Sequence, residues 1–296
     1  MFKRIMLFAV MNILVVVTFS VISNLLGLNH YITAQGIDYQ SLLVFCLLWG
    51  SVGSFVSLML SKFMAKMAMG VKIVTTNDPN YAQIVSRVHQ LAQAAGLQKM
   101  PEVGVYESPE VNAFATGPSK NNSLVAVSTG LLRHMNTNEV DGVLAHEIAH
   151  VKNGDMVTMA LLQGVINAFV MFFARIAAFA LNNFLRGNSD RENSGLGHIG
   201  QYFVVIIFEI LFGFLGMFIL AYFSRYREFR ADKGGAQLAG TNNMVAALEK
   251  LKQNFSRVDD SVENLRAMKI SSRKGLMNFL STHPSLDDRI AALRKM

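Results

Sequence analysis

A short stretch, HEIAH at positions 146–150, combines residue types that bind metals with one that moves protons. On a helix, residues four apart lie on one face, so the imidazoles of His146 and His150 can reach the same metal ion. Glu147 then stands beside that ion, where its carboxylate can take a proton from a bound water. We therefore predict a helix over Val140–Asn153 that holds two metal ligands and a general base.

This spacing is the HExxH pattern of zinc peptidases, in which the glutamate is a base and not a ligand. A third ligand is predicted at Glu228, in the polar segment after the last apolar run, which would leave one position open for water. Asp232 follows on the same helical face and is expected to accept the outer N–H of a ligating histidine. The alternative is a solvated face of ion pairs with the neighbouring basic residues, which are Arg225, Arg227, Arg230 and Lys233.

The composition is that of a membrane protein. Of 296 residues, 52% are hydrophobic and 16% are charged, which is too apolar for an ordinary soluble domain. The single cysteine, Cys46, lies in an apolar run, so the sequence excludes an intramolecular disulfide and a cysteine-based zinc site. The net charge is +7, but the sequence has no basic stripe with interspersed aromatic residues, and we expect no binding to nucleic acid.

Four apolar runs are long enough to be transmembrane helices. They are Ile5–Val21, Leu42–Leu60, Val157–Leu181 and Ile199–Phe223. The first is predicted to be an uncleaved membrane helix, because it is longer than the apolar part of a signal peptide and no cleavage site follows it. The last two contain Arg175 and Glu209, which we expect to pair because isolated charges are costly in a membrane. Alternatively, these two runs form a hairpin that packs on the catalytic domain without fully crossing.

Basic residues determine the predicted orientation. Two precede the first apolar run, eight lie within 62–152 and fourteen within 225–295, whereas the link between the first two runs has none. Both termini and the HEIAH stretch are therefore expected on the cytoplasmic side. Because that stretch ends a few residues before the third apolar run, we expect the site to lie close to the membrane surface.

Between the second and third apolar runs, the chain has the pattern of an α+β domain. A helix is predicted to begin at Pro79 and to close at Gly96, and short strands are predicted at Val103–Tyr106 and Ser123–Val127, with a turn at Asn121-Asn122. The predicted organisation is two N-terminal membrane helices in 1–61, two catalytic segments in 62–155 and 224–296, and a membrane hairpin in 156–223.

The sequence HEIAHVKNGD at 146–155, together with EFRAD at 228–232, resembles the HtpX heat-shock proteases, membrane zinc metalloproteases related to the CAAX prenyl proteases and the mitochondrial stress protease OMA. The resemblance covers nearly the whole chain. It implies a gluzincin-type catalytic domain in a mainly α-helical integral membrane protein, with one zinc ion per subunit on His146, His150 and Glu228. It also implies endoproteolysis of misfolded or damaged membrane proteins at the cytoplasmic face of a bacterial inner membrane, with the lipid bilayer and unfolded polypeptides as partners.

Further site residues are expected from this resemblance. Asn112, Ala113 and Phe114 stand where the family has an edge strand that pairs with an extended substrate, although an ordinary strand end fits equally well. His283, in the segment THPSLDDR, is expected to donate to the oxyanion of the tetrahedral intermediate. The alternative there is an incidental histidine in a helix-cap loop. Asp155, at the end of the extended motif, is predicted to support a ligating histidine from outside.

The resulting hypothesis is peptide hydrolysis in which Glu147 takes the proton of the zinc-bound water and passes it to the leaving amine, while zinc and His283 stabilise the oxyanion. A non-catalytic membrane adaptor with a structural zinc is the alternative, but structural sites usually have four protein ligands. A transporter that uses Arg175 and Glu209 is a weaker alternative. Self-cleavage is a further hypothesis, because a cytoplasmic tail and the Asn121-Asn122 loop are expected near the site.

Overall fold

The computed structural model describes residues 21, 32–33, 36–186, 197–260 and 283–296. The predicted first membrane helix, Ile5–Val21, therefore lies outside the described residues except for its last residue. The described elements in chain order are β1 (Ile32–Thr33), β2 (Gly36–Ile37), α1 (Tyr39–Met69), β3 (Lys72–Val74), α2 (Ala82–Ala94), β4 (Glu102–Tyr106), β5 (Ala113–Ser119), β6 (Asn122–Ser128), α3 (Thr129–His134), α4 (Thr137–Asn153), α5 (Asp155–Arg186), α6 (Gly197–Ala239), α7 (Thr241–Asp260) and α8 (Leu286–Arg294).

The chain divides into two compact units. The first contains the described residues of Met1–Ser57 together with Ala160–Leu220, and the second contains Leu58–Met159 together with the described residues of Ala221–Met296. The described part of the first unit thus includes the paired strands β1 and β2 and the apolar parts of α1, α5 and α6.

Three helices in the described part of the chain, α1, α5 and α6, are long and apolar enough to cross a membrane. They contain the second, third and fourth predicted runs, but each helix continues past its run, to Met69, Arg186 and Ala239. The apolar run indicates only the part of a helix that suits hydrocarbon, whereas polar residues that keep the backbone hydrogen-bond pattern extend the helix beyond it.

Close backbone packing and one ion pair stabilise the first unit. A Cβ atom on Gly50 of α1 would lie 2.3 Å from the carbonyl oxygen of Gly164 of α5, so this approach requires glycine. Nη1 of Arg175 lies 3.0 Å from Oε1 of Glu209, which confirms the predicted pair. The Arg175 guanidinium carbon is also 5.8 Å from the centre of the Phe45 ring. The two charges at the predicted membrane depth, Arg175 and Glu209, therefore neutralise each other.

A four-stranded sheet with the order β3-β4-β6-β5 forms the centre of the second unit. Strands β4 and β6 are parallel, and the outer strands β3 and β5 run antiparallel to their neighbours. Helices α2 and α4 pack on one face of the sheet through an apolar core that includes Val88, Val125, Leu144 and Ile148. Among the described residues, β5 pairs with β6 alone, so β5 is an edge strand.

The predicted start of α2 is wrong by three residues. The helix begins at Ala82 and not at Pro79, because Asp78 first forms a turn. Its carboxylate accepts the backbone N–H of Asn80, and its carbonyl accepts those of Tyr81 and Ala82. Asp78 and Pro79 do precede a helix, but a turn separates them from it.

The sheet also differs from the predicted one at its edges. Strand β3 was not predicted, and β5 extends through Gly117-Pro118 to Ser119, residues that do not show the alternation of a strand. The predicted Asn121-Asn122 turn is shifted by one residue, because Asn122 already pairs with Ser119 across the hairpin.

Candidate metal centre

Helix α4 positions the HEIAH stretch. The side chain of Asn136 accepts the N–H of Glu139 at 3.0 Å, and the Glu139 carboxylate accepts the N–H of Asn136 at 2.9 Å, which closes a capping box at the helix start. The helix ends at Asn153 and is followed by Gly154, whose φ of 70° is one that glycine adopts readily. Leu144 and Ile148 are fully buried in the core, so packing fixes the direction in which the two histidines point.

The three predicted ligands lie together in the second unit. Nε2 of His146 and Nε2 of His150 are 3.1 Å apart, and oxygens of Glu228 lie 3.5 Å from the first and 3.4 Å from the second. One ligand atom from each residue lies within 4.8 Å of the others. Two imidazole nitrogens and a carboxylate are a donor set of catalytic zinc sites, so these residues fit the metal that the resemblance implies.

A carboxylate contacts the outer nitrogen of each histidine. Oδ1 of Asp232 lies 2.9 Å from Nδ1 of His146, and Oδ2 of Asp155 lies 2.7 Å from Nδ1 of His150. Both carboxylates are buried. When Nδ1 donates its proton to the carboxylate, Nε2 keeps the lone pair that a metal requires.

Two arginines, Arg289 and Arg230, extend this network. Arg289 donates to both oxygens of Asp232, at 2.7 and 2.6 Å, and Arg230 donates to Asp155. Neither contact has a local signal, because the partners are 57 and 75 residues apart in the chain. Arg230 also stands in a run of charges that is typical of a solvated face.

Hydrogen bonds determine the protonation of the two histidines. Burial disfavours the charged form of His150, but hydrogen bonds to Asp155 and Glu228 outweigh this effect and raise its pKa to about 9. Burial also lowers the pKa of His146, and hydrogen bonds to Asp232 and Glu228 again raise it above the ordinary value. Because a metal binds the neutral ring, protons compete with a metal for these nitrogens.

A cavity of ≈640 Å³ lies beside the ligands. Its lining includes Glu147, which is partly exposed, and His283, which is exposed. Nδ1 of His283 lies 3.2 Å from Oε2 of Glu228. Asn112 and Ala113 line the same cavity. The structure thus brings both predicted catalytic side chains and two of the three predicted substrate-binding residues to one space.

Phe114 is not among the lining residues of this cavity. Its ring centre lies 5.7 Å from that of Tyr106, and it packs with Ala126 in an apolar cluster on the other face of the sheet. Its main chain pairs with Ala126 within the sheet. Asn112 precedes the strand, and its N–H and carbonyl both bind Ser128. The Phe114 side chain therefore lies on the face of the sheet that does not line the cavity.

Comparisons with known proteins agree on one family. The sequence model of peptidase family M48 matches residues 79–296. The chain is 51% identical to a protease HtpX homolog of Bacillus licheniformis, over 98% of both chains, and 48% identical to protease HtpX of Shewanella oneidensis, over 99% of both chains. Among solved structures, S. mikatae Ste24p has a TM-score of 0.65 at 19% identity, with 99% of this chain and 64% of that chain covered. This last likeness shows a shared fold.

Proposed function

Given that the chain belongs to peptidase family M48 and is a metalloendopeptidase, we propose that it cleaves misfolded or damaged membrane proteins in a zinc-dependent reaction. The resemblance to HtpX proteases is confirmed by the family match and by relatives of that name that align over the whole chain. The assignment to an enzyme also removes the adaptor and transporter alternatives. What is proposed beyond the family is the substrate, the metal and the role of each residue.

The observation that carries the proposal is the approach of His146, His150 and Glu228 to within 4.8 Å of one another. We assign these three residues as the ligands of one zinc ion per subunit, in a gluzincin-type site. Three protein ligands leave a position open for a water or a substrate, as catalytic sites require. A zinc ion held there would supply Lewis acidity and lower the pKa of a bound water.

The chain's own residues supply the proton transfers. Glu147 lines the cavity beside the ligands, where its carboxylate takes the proton of the attacking water and passes it to the leaving amine. His283 lies at the same cavity and donates an N–H to the oxyanion that develops on the peptide carbonyl. Asp232 and Asp155 hold the rings of His146 and His150 in the ligating tautomer.

An extended polypeptide fits the edge of the sheet. Strand β5 has a partner on one side alone within the described part of the chain, and Asn112 and Ala113 lead from this edge into the cavity. A substrate segment that adds as a further strand would gain main-chain hydrogen bonds that do not depend on its sequence. Such recognition suits misfolded chains of many sequences, and it would also permit self-cleavage.

The proposed location is a bacterial inner membrane. Three apolar helices support membrane insertion, and four spans, with both termini and the site on the cytoplasmic side, accord with the distribution of basic residues. In this proposal, residues 1–61 and 156–223 are membrane segments, and residues 62–155 and 224–296 together form the protease domain.

Metal removal tests the proposed ligand set. We expect the detergent-solubilised chain to cleave casein, to stop when a chelator removes the metal, and to recover when zinc is added back. Glu228→Ala should bind less zinc and remain inactive after this addition, because two histidines alone hold the ion weakly. Normal zinc binding by this variant would show that the ligand set is wrong.

A further inference from the structure

We propose that Arg289 is a positioning residue. It fixes the orientation of Asp232, and through Asp232 that of the His146 ring, and it fixes the position of the segment that contains His283. The inference rests on the proposed function, because it concerns the residues that orient the ligands of the proposed metal site. It assigns a role to helix α8, which contributes no proposed ligand and no catalytic group.

The Arg289 guanidinium group lies against two proposed ligands, Glu228 and His146, and against Asp232, the carboxylate that contacts His146. Its Nε and Nη2 donate to the two oxygens of Asp232 at 2.7 and 2.6 Å, and its Nη1 lies 3.5 Å from Oε2 of Glu228. Nη2 is also 3.4 Å from Nδ1 of His146. The paired hydrogen bonds fix the plane of the Asp232 carboxylate, which a single-point contact would leave free to rotate.

Burial makes this contact more than a surface ion pair. The Arg289 side chain is 8% exposed and that of Asp232 is 2% exposed. Without Arg289, Asp232 would be a buried carboxylate with no positive side chain bound to both of its oxygens, and such a group tends to turn away toward other donors. That movement would release the ring of His146.

The same residue fixes the approach to His283. Helix α8 begins after Ser285, whose side chain accepts the N–H of Asp288 at 3.1 Å, and His283 lies two residues before this cap. Ile290 and Leu293 pack with residues of α7 in a small apolar cluster. Arg289 lies near the start of α8, four residues after the N-cap Ser285. Its hydrogen bonds to Asp232 therefore fix the position of the N-cap, and with it that of His283, relative to the ligands.

A second arginine gives an internal comparison. Arg230 donates to Asp155, which in turn contacts Nδ1 of His150. Each proposed histidine ligand therefore contacts a carboxylate that is itself bound by an arginine. The Arg230 side chain, however, is 44% exposed. Water and salt can replace much of that contact. The buried arginine is therefore the one whose loss should alter the site.

The experiment compares Arg289→Gln and Arg289→Lys with the matched control Arg294→Gln. Arg294 stands on the same helix and pairs with Glu249 of α7 at 2.5 Å in an exposed position, and neither residue lines the cavity beside the ligands. Zinc affinity is measured on the full chain in detergent by competition with a chromophoric chelator, and kcat and KM are measured separately at saturating zinc. Thermal unfolding shows which variants are folded.

Arg289→Gln should lower zinc affinity by about 10–100-fold and lower kcat with a smaller change in KM. Arg289→Lys keeps the positive charge but cannot form the two parallel hydrogen bonds of a guanidinium group, so it should recover only part of the zinc affinity. Arg294→Gln should match the wild type in both zinc affinity and kcat. Zinc affinity requires no turnover, so a failure of the proposed reaction would not hide this result.

Several results would overturn the proposal. A folded Arg289→Gln protein with wild-type zinc affinity would show that the arginine does not position the ligand. If Arg289→Gln does not fold, the zinc affinity and kcat of Arg289→Lys become the test of the proposal. Wild-type affinity and kcat in the lysine variant would show that the paired contact is unnecessary. Unfolding of the lysine variant would assign Arg289 to stability alone.

Discussion

Asp232 lies 2.9 Å from Nδ1 of His146, the ring nitrogen on the side away from Glu228. This contact leaves Nε2 of His146 as the atom that faces Nε2 of His150. A hydrogen bond to the carboxylate fixes both the tautomer and the plane of the ring. The orientation of the proposed first ligand therefore depends on a residue in a different helix.

Replacement of Asp232 should weaken metal binding without removing a ligand. Asp232→Asn keeps the size of the side chain but weakens the acceptor for the His146 N–H, and we expect a loss of about 10–100-fold in zinc affinity. Asp155→Asn is the matched comparison at His150 and should have an effect of the same kind. Chelator competition on both variants measures the change, and unchanged affinity in both would contradict the assigned support of the ligands.

Replacement of His283 should affect the chemical step more than zinc binding. His283→Ala removes the proposed oxyanion donor, and we expect kcat to fall by about 100-fold with a smaller change in KM. His134 is exposed at the end of α3, so His134→Ala controls for loss of a histidine elsewhere. Steady-state kinetics with a defined peptide substrate measures both. A rise in KM alone would show that His283 binds substrate and does not stabilise the transition state.

The pH dependence of stability should include a contribution from Glu102. Lys62 and Lys66 of α1 lie 2.8 and 2.7 Å from the two oxygens of this β4 residue. Burial raises the pKa of Glu102, but the hydrogen bonds from the lysines outweigh it and hold the pKa below the ordinary value of 4.5. Because the folded-state pKa is depressed, the stabilisation is complete above the unfolded-state pKa and is lost as pH falls through the folded-state pKa.

Glu102→Gln should therefore unfold at a lower temperature than the wild type near neutral pH, and the difference should shrink below pH 4.5. The carboxylate is 42% exposed, so we expect a contribution of at most about 1 kcal/mol. Lys72 is exposed and forms no ion pair within the described part of the chain, so Lys72→Gln serves as a charge control. A Tm difference that stays constant with pH would contradict this account. The measurement is thermal unfolding of each protein across the acid range.

The local parts of the fold were predictable because their signals are local. The four-residue spacing of His146 and His150 and the glycine at position 154 both act within one helix, and α4 has the predicted extent to within a few residues. The start of helix α2 is harder to predict, because the turn at Asp78 accepts the same backbone N–H groups that a helix cap would accept. Strand β5 has no clear alternation, so tertiary pairing with β6 determines it.

Site residues that lie far apart in the chain are harder to predict from the sequence. Glu228 lies 78 residues after His150, and only its place after the last apolar run and its four-residue offset from Asp232 predict it as a ligand. Arg289 has no such pattern, because a lone arginine near the chain end has many partners available and its contact with Asp232 spans 57 residues. Only the packed structure shows that this charge is buried and must be paired.

Glu147→Gln at matched zinc content tests the central claim most directly. The substitution keeps the size of the side chain but removes the base that takes the water's proton. We predict that the purified variant binds as much zinc as the wild type and cleaves casein more slowly by at least about 100-fold. A variant that carries its zinc and cleaves at the wild-type rate would contradict the proposed role of Glu147 and with it the mechanism.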